Sequence, residues 1–285
     1  MSQSKFKFIL VQGRSLPQIN ESLQYFPVNW KEEFPIIQSL GFTGIEWIYD
    51  KESELTNPLL TKMGRNDMLH FSKKYNIELE NIVFDWFLIH PLFVDDEFKV
   101  KEKLEKFLFL LDVSRQSGFK RIILPLMEKN SIVDKKIQNK FIHIMKNHVL
   151  DYLEKWNIEI HLETSLSPSE EYDVLKKLNS KWIKSCFDMG NSASYGFDPK
   201  TCIQTISKHL GSVHIKDRKL NGTSVELGKG NVNFKKVFEC LFAIHFDGPI
   251  SFQIYRNKES DNILLLKNTL TFINEIILKL LNDSK

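Results

Sequence analysis

Four polar side chains interrupt apolar segments in the second half of the chain, and together they could bind a metal ion. They are Glu163 in IHLET, Asp188 in FDMGN, His214 in VHIKDR and Gln253 in SFQIYR. Carboxylate, imidazole and amide groups all offer lone pairs to a divalent cation. Such donors suit Mn²⁺, Co²⁺, Mg²⁺ or Zn²⁺ and exclude soft thiolate chemistry. The sequence therefore predicts one divalent metal ion, bound by these four side chains.

The same residues also have a purely structural interpretation. Buried carboxylates are unfavourable unless they are paired, hydrogen-bonded or bound to metal, so a hydrogen-bonded polar layer is the alternative to a metal site. A lone His214 would more often be a hydrogen-bonded core histidine than a ligand. The spacing along the chain is not a metal motif such as HExxH, so the prediction depends on the strands that carry the four residues.

Short apolar strands alternate with amphipathic helices along the chain. Most strand segments are dense in Ile, Val, Leu and Phe, as is typical of parallel strands buried on both faces. The predicted strands are Phe8–Gln12, Gly44–Tyr49, Glu80–Trp86, Arg121–Leu126, Ile158–Glu163, Lys184–Asp188, Gly211–Lys216 and Ile250–Tyr255. The predicted helices are Trp30–Ser39, Asp67–Lys74, Lys101–Gln116, Lys136–Trp156, Ser169–Leu178, Pro199–Leu210, Phe234–Ile244 and Asn262–Leu281.

Eight alternations of strand and helix predict an α/β fold, a single (β/α)8 barrel over residues 1–285. An open, doubly wound sheet is the alternative. It is disfavoured because the segment after the first strand reads QGRSLPQ and not the glycine-rich loop GxGxxG. In a barrel, the carboxyl ends of all strands meet at one face, so the four candidate ligands would lie together.

Composition and charge exclude several classes of protein. The chain has 285 residues, of which 42% are hydrophobic and 26% charged, which excludes collagen-like and strongly disordered chains. The net charge of +3 is weak for a nucleic-acid binder. Three cysteines without CxxC spacing disfavour a disulfide scaffold or a cysteine zinc site. Without a signal peptide or a long apolar run, we expect a cytoplasmic protein with neither nucleic-acid nor membrane partners.

Five segments carry a family likeness: GFTGIEW, HLET, FDMGN, VHIKDR and LGKGNVNF. Together they resemble the xylose-isomerase-like barrel superfamily and, within it, the sugar-phosphate isomerase/epimerase group, over nearly the whole chain. The resemblance implies a small keto sugar or sugar phosphate as substrate. It also implies a metal ion held from strands 5 to 8, at the same four positions. Barrels of this superfamily often form homo-oligomers, but the sequence leaves the oligomeric state open.

The chain departs from the epimerase pattern at Gln253, where family members usually have glutamate. In those enzymes two glutamates exchange protons on opposite faces of a keto sugar. A glutamine can bind metal through its carbonyl oxygen, but it cannot accept a proton at neutral pH. Either Glu163 acts alone in a one-base isomerisation, or another group serves the second face. By position, the candidates for that group are Glu46, Asp85, Glu128 and Lys216.

The working hypothesis is a metal-dependent isomerase or epimerase that transfers a proton through an enediolate. Glu163 would move the proton beside the carbonyl, and Lys216 would place positive charge near the developing oxyanion. The expected substrate-binding residues are Glu46, Asp85, Arg218 and Arg256. A phosphate would meet Arg14, Arg218, Arg256 or the backbone amides of Gly228-Lys229-Gly230. An apolar wall against the sugar would draw on Trp47, Trp86, Phe87 or Tyr255.

Three other functions stay open. A dehydratase of a keto-cyclitol or a related compound shares proton abstraction beside a carbonyl, so the sequence does not separate it from an isomerase. An apurinic-site endonuclease shares the superfamily barrel, but it needs about three zinc ions and more ligands than this quartet offers. A barrel that binds a sugar without turning it over is kept open by Gln253.

Overall fold

The predicted strands close into a parallel barrel, which confirms the (β/α)8 fold. The computed structural model describes residues 6–17, 25–94, 97–256 and 261–283. The barrel strands are β1 (Lys7–Val11), β2 (Gly44–Ile48), β3 (Glu78–Val83), β4 (Arg121–Leu126), β5 (Glu159–Thr164), β6 (Ile183–Asp188), β7 (Leu210–Ile215) and β10 (Pro249–Phe252). They pair in chain order, and β10 closes the barrel between β7 and β1. A separate antiparallel hairpin, β8 (Asp217–Arg218) and β9 (Ser224–Val225), follows β7.

Helices fill the connections between the strands and cover the barrel. They are α1 (Glu33–Ser39), α2 (Lys62–Tyr75), α3 (Trp86–Ile89), α4 (Glu97–Gln116), α5 (Lys135–Ile144), α6 (Leu150–Trp156), α7 (Pro168–Leu178), α8 (Met189–Ser194), α9 (Pro199–Ile206), α10 (Phe234–Ala243) and α11 (Asn262–Asp283). Within the described ranges, no helix combines the length and apolar character needed to span a membrane.

One helix prediction is wrong at its centre. The sequence favours a continuous helix over Lys136–Trp156, but a π-helical turn at Met145–Val149 separates α5 from α6. The Asn147 side chain donates a hydrogen bond to the His143 carbonyl over 2.9 Å, and so competes for a backbone acceptor at this point. The π-helical turn contains none of the candidate site residues.

The strands hold their positions because they are apolar on both faces. In β4, every residue of RIILPL except Arg121 is buried, and β2 is buried throughout. Aromatic rings fill the space between strands and helices: Phe252 makes edge contacts with Phe8 and Phe42 at centroid distances of 5.2 Å. Burial on both sides fixes which side chains point inward, since a one-residue slip would exchange the two faces.

The end of β10 and the segment after β6 differ from the predictions, and both differences concern the candidate site. Strand β10 ends at Phe252 and not at Tyr255, although the Gln253 amide still donates to the Ile215 carbonyl over 3.0 Å. Helix α8, which the sequence did not predict, begins directly after Asp188. The Asp188 carboxylate caps it by accepting the Asn191 amide over 2.7 Å.

Candidate functional site

Three of the predicted metal ligands converge at the carboxyl ends of their strands. Glu163 lies on β5, Asp188 ends β6, and His214 pairs with Asp188 across β6 and β7. The His214 Nδ1 atom is 3.8 Å from Glu163 Oε2 and 3.8 Å from Asp188 Oδ2. All three residues are buried, and one donor atom of each lies within 4.8 Å of the others. The strand register therefore brings together the acids and the imidazole that the sequence separated by 51 positions.

The donor atoms that face each other have no hydrogen bonds. Among the described residues, neither Asp188 Oδ2 nor His214 Nδ1 has a hydrogen-bond partner, although both atoms are buried. Leaving such groups unsatisfied is costly. A divalent cation with ligand bonds of about 2.1 Å holds its ligands about 3–3.5 Å apart, close to the spacing found here. Glu163, Asp188 and His214 therefore fit a metal ion that prefers oxygen and nitrogen ligands.

Glu46 orients the imidazole from below. Its carboxylate oxygens lie 3.0 and 3.2 Å from His214 Nε2, and it also accepts hydrogen bonds from Asn81 over 2.9 Å and Ser251 over 2.7 Å. With Nε2 donating to Glu46, the Nδ1 lone pair is directed at Glu163 and Asp188. Glu46 is fully buried. The structure therefore places this predicted substrate-binding residue in contact with His214, at the ring nitrogen that faces away from Glu163 and Asp188.

Burial and charge set the protonation of the site. Burial raises the pKa of Glu163 to about 8; the neighbouring Asp188 adds to this, while His214 opposes it. Burial also disfavours a charged His214, but the Cys186 sulfur and the Glu46 carboxylate raise the pKa of its ring well above 6.5. The two carboxyl groups and the imidazole thus share one buried volume, in which the positive charge comes from His214 and the nearby Lys216.

Lys216 and Gln253 complete the wall beside Asp188. The Lys216 ammonium donates to Gln253 Oε1 over 3.1 Å and lies 3.7 Å from Asp188 Oδ2. Gly190 permits this arrangement, because a Cβ atom there would come within 2.9 Å of the Lys216 side chain. The predicted fourth ligand is therefore next to the other three, with its amide oxygen bonded to an ammonium group.

Comparison with known proteins assigns the chain to a family. The model of the xylose isomerase-like TIM barrel family matches residues 34–276. The chain belongs to this family. Two solved structures share its fold: "Structure of L-ribulose 3-epimerase", with a TM-score of 0.74 at 14% identity over 97% of this chain and 96% of that one, and a zinc-bound IolI protein, with 0.74 at 18% identity over 96% and 98%.

Curated relatives of this xylose isomerase-like barrel are distant. L-ribulose-5-phosphate 3-epimerase UlaE of Shigella flexneri is 22% identical over 244 residues, which cover 81% of this chain and 84% of the relative. An uncharacterised protein of Methanocaldococcus jannaschii is 27% identical over 145 residues, which cover 45% of this chain and about half (48%) of that relative. At these identities the substrate does not transfer with the fold.

Asn191 is a site residue that the sequence prediction missed. In this xylose isomerase-like barrel the Asn191 Nδ2 atom donates to Glu163 Oε1 over 2.9 Å, and the Asn191 Oδ1 atom accepts from Arg218 over 2.7 Å. Asn191 thus fixes one oxygen of Glu163 and leaves the other facing His214. The signal was present in FDMGN: an asparagine three residues after a capping aspartate, in a helix too short to show periodicity.

The predicted phosphate loop uses its amides internally. The Asp217 carboxylate accepts hydrogen bonds from the amides of Gly228 over 2.9 Å, Gly230 over 2.8 Å and Val232 over 3.1 Å. The Lys229 amide donates to the Glu226 carbonyl. The expectation that Gly228-Lys229-Gly230 offers amides to a phosphate is therefore wrong, because Asp217 and Glu226 already accept them.

The remaining predicted residues occupy different places. The Arg218 guanidinium is held by Asn191 and by the Gly222 carbonyl, over 2.7 Å in each case. Asp85 follows β3, is partly exposed, and contributes to the raised pKa of Glu163. Arg256 is buried beside Tyr25.

The candidate aromatic residues are largely packed within the protein. Trp47 is buried against Phe26 and Trp30, and its ring nitrogen donates to Asn57 over 3.1 Å. Trp86 stacks on His90 at a centroid distance of 4.0 Å. Phe87 is fully buried, whereas Tyr255 is partly exposed at the barrel end. Of the four candidates, Tyr255 alone keeps substantial exposure at the face that carries the site.

Proposed function

We propose that this chain is a divalent-metal-dependent isomerase or epimerase of a small keto sugar. The observation that carries the proposal is the convergence of Glu163, Asp188 and His214, with unpartnered donor atoms on two of them. The relatives and neighbours named as ribulose epimerases support this choice. The ion would be Mn²⁺, Co²⁺, Mg²⁺ or Zn²⁺, and Gln253 would supply its amide oxygen as a further ligand.

Each protein group has a defined task in this proposal. Glu163, Asp188 and His214 would hold a divalent metal ion, which would supply Lewis acidity at the carbonyl end of the sugar. Glu163 takes the proton from the carbon beside that carbonyl, and Asn191 holds the carboxylate in position. Lys216 provides positive charge where the oxygen becomes negative. Glu46 keeps the His214 ring in the orientation that leaves Nδ1 free for the metal.

Lys216 is the best placed group for the second face of the sugar. Gln253 cannot exchange a proton, and Lys216 is hydrogen-bonded to it. The other positional candidates are less suitable: Glu46 is buried beneath His214, and Glu128 is exposed at the start of a short 3-10 helix. Proton delivery from Lys216 to the opposite face of the same carbon would give the epimer, whereas delivery of the proton by Glu163 to the neighbouring carbon of the enediolate, on its own face, would give the isomer.

The wider setting follows from the same residues. Three free, buried cysteines suit a reducing compartment, so we place the enzyme in the cytoplasm. We further propose that residues 1–285 work as one barrel domain, with a small sugar as the partner and neither nucleic acid nor membrane.

The first test measures bound metal per chain. The purified chain is reconstituted with Mn²⁺, Co²⁺ or Zn²⁺, desalted and analysed by mass spectrometry beside Asp188→Ala and the exposed control Asp151→Ala. We expect about one ion in the wild type and in the control and a loss in Asp188→Ala. Retention of the ion in Asp188→Ala would contradict the assigned site. About three zinc ions per wild-type chain would instead favour the apurinic-site endonuclease.

The second test measures solvent deuterium incorporation into L-ribulose and L-ribulose 5-phosphate by the metal-loaded chain. Glu163→Gln should reduce the rate by roughly 10²–10⁴-fold, because it removes the base but keeps the shape. The exposed control Glu154→Gln should keep the wild-type rate. Full turnover in Glu163→Gln would refute the mechanism. A product lighter by one water would identify a dehydratase, and sugar binding without exchange would identify a non-catalytic barrel.

A further inference from the structure

Two arginines lie together at the same end of the barrel as the candidate metal site, after the strands β10 and β1 that follow β7 in the barrel. Arg14 follows the end of β1 and Arg256 follows the end of β10, and these two strands are neighbours in the barrel. The loops are tied to each other: Arg14 Nε donates to the Ile254 carbonyl over 3.0 Å, and Arg256 donates to the Gly13 carbonyl over 2.9 Å. The fold therefore holds both guanidinium groups at the catalytic face.

Gly13 shapes the turn that presents Arg14. Its φ angle is +79°, which side chains rarely adopt, and a Cβ atom there would lie 2.9 Å from the Tyr25 carbonyl oxygen. The Gly13 amide donates to Glu33 over 2.7 Å, so the turn is fixed on both sides. Arg14 is thus positioned by backbone contacts, and among the described residues its guanidinium forms no salt bridge.

The charged end of Arg14 is buried without a partner. Arg14 is only 1% exposed, yet neither of its terminal nitrogens, Nη1 and Nη2, has an acceptor among the described residues. A guanidinium in this state is unfavourable, because its planar fork of N–H donors has lost water and gained nothing in return. The fork is the shape that binds two oxygens of a phosphate side by side.

The charges around Arg14 leave the cluster cationic. Arg256 stacks on Tyr25 at 4.4 Å, and its charge, after burial, lowers the pKa of Arg14 to about 9, so both guanidiniums are charged at neutral pH. Burial raises the pKa of nearby Glu33 to about 7, which weakens its negative charge. The Asp85 carboxylate raises the pKa of Arg14 and also that of Glu163, so its charge acts on both the arginine cluster and the candidate metal site.

The other cationic candidates for an anion are already engaged. Arg218 bonds to Asn191 and Gly222, the amides of the Gly228–Gly230 loop bond to Asp217 and Glu226, and Lys216 bonds to Gln253. Barrel enzymes frequently bind phosphate after their seventh and eighth strands, and β10 is the eighth strand of this barrel. The position of Arg256 is therefore suited to an anionic end of a substrate that reaches from the metal site.

We infer that Arg14, assisted by Arg256, binds the phosphate group of a keto-sugar phosphate whose carbonyl end lies at Glu163, Asp188 and His214. This inference rests on the proposed function for the carbonyl end, but the phosphate pocket itself does not. Arg14 would make two parallel hydrogen bonds to phosphate oxygens through Nη1 and Nη2. Arg256 would add charge from the neighbouring loop.

Calorimetric titration of the metal-loaded chain tests the inference without requiring turnover. The ligands are inorganic phosphate, acetate, L-ribulose and L-ribulose 5-phosphate. We expect the phosphorylated sugar to bind about 10–100-fold tighter than the free sugar, as two charge-assisted hydrogen bonds allow. Arg14→Met should bring that ratio close to one while metal content stays at the wild-type level. Arg115→Gln, a surface control, should keep the wild-type ratio.

Several results would overturn the inference. Equal affinity for the two sugars in the wild type would show that no phosphate pocket exists, and an unchanged ratio in Arg14→Met would place the phosphate elsewhere. Acetate binding as tight as phosphate binding would assign the pocket to a carboxylate. If Arg14→Met does not fold, Arg14→Lys should show an intermediate ratio, since it keeps the charge and loses the fork. The two proposals can also fail separately. If the affinity ratio falls to one in Arg14→Met but the metal-loaded wild-type chain exchanges no deuterium into either sugar, the proposed function is refuted and the phosphate pocket is retained.

Discussion

His161 on β5 and His214 on β7 are both fully buried in the barrel, but their ring nitrogens have different surroundings. Both nitrogens of His161 are paired, with Ser212 at 2.9 Å and Glu159 at 3.0 Å. His214 pairs through Nε2, while Nδ1 faces two carboxylates without a hydrogen bond. Burial lowers the pKa of His161, whereas the groups around His214 outweigh burial and raise its pKa.

The same contrast extends to the two ends of the barrel. At the amino end, Glu80 pairs with Lys7 and with Arg121, and Glu159 pairs with Lys184 over 2.7 Å. At the carboxyl end, unpartnered atoms remain on Asp188, His214 and Arg14. One end satisfies its buried charges with protein groups, which stabilises the fold. The other end leaves such atoms without a protein partner in the described part of the chain, as expected where function is favoured over stability.

Exchanging each histidine for glutamine should separate the two roles. His214→Gln should weaken metal binding by at least about 100-fold, because it removes a ligand where even an indirect contact contributes 10–100-fold. His161→Gln should leave metal affinity unchanged and lower the free energy of unfolding by about 1–3 kcal/mol, because Ser212 or Glu159 loses its partner. Competitive metal titration and urea unfolding measure the two effects. Equal loss of metal affinity in both variants would remove the contrast.

The two ends should also respond to pH in opposite directions. Glu33, near the carboxyl end, has its pKa raised by burial from 4.5 to about 7. The folded chain therefore keeps a proton that the unfolded chain releases. The contribution of Glu33 to stability is fully present below pH 4.5 and is lost as the pH rises through about 7, by up to about 3 kcal/mol. Glu33→Gln should remove this contribution in urea unfolding measured in phosphate-free buffers, while the decline due to Glu163, whose pKa is also raised, should remain.

Glu159 at the amino end is the matched control for the pH response. Burial opposes its ionisation, but His161 and Lys184 lower its pKa from 4.5 to about 2. Its contribution is present above pH 4.5 and is lost as the pH falls through about 2; because the residue is partly exposed, it amounts to about 1–2 kcal/mol. Glu159→Gln should flatten the acid side only. If both variants flattened the same side, the assignment of the two carboxyl groups would be wrong.

Much of the fold and the convergence of Glu163, Asp188 and His214 could be predicted because both depend on regular patterns. Continuous apolar strands that alternate with helices indicate a barrel, and barrel closure brings Glu163, Asp188 and His214 to one face. The strand β4, Arg121–Leu126, was predicted with both bounds correct. A pattern of eight apolar strands carries this information without any knowledge of side-chain contacts.

The functional details depend on contacts between distant residues, which no local pattern contains. Glu46 looked like a substrate ligand because it is a carboxylate in a strand, but its partner His214 is 168 positions away. The Gly228–Gly230 loop looked like an anion cradle, and only the fold shows that Asp217 already fills it. Arg14 was one of several arginines, and only burial without a partner distinguishes it from the others.

A glycine beside His161 tests how tightly the amino end is packed. Gly211 on β7 lies against His161, and a Cβ atom at this position would come within 2.5 Å of the imidazole ring. Gly211→Ala should therefore displace the ring and lower the free energy of unfolding by about 1–3 kcal/mol, as overpacked cores do. Metal affinity should not change, because the ring at the carboxyl end belongs to His214. In a His161→Ala background the same substitution should have a smaller effect, since the obstructing ring is absent. An equal penalty in both backgrounds would mean that the backbone, and not His161, resists the added methyl group.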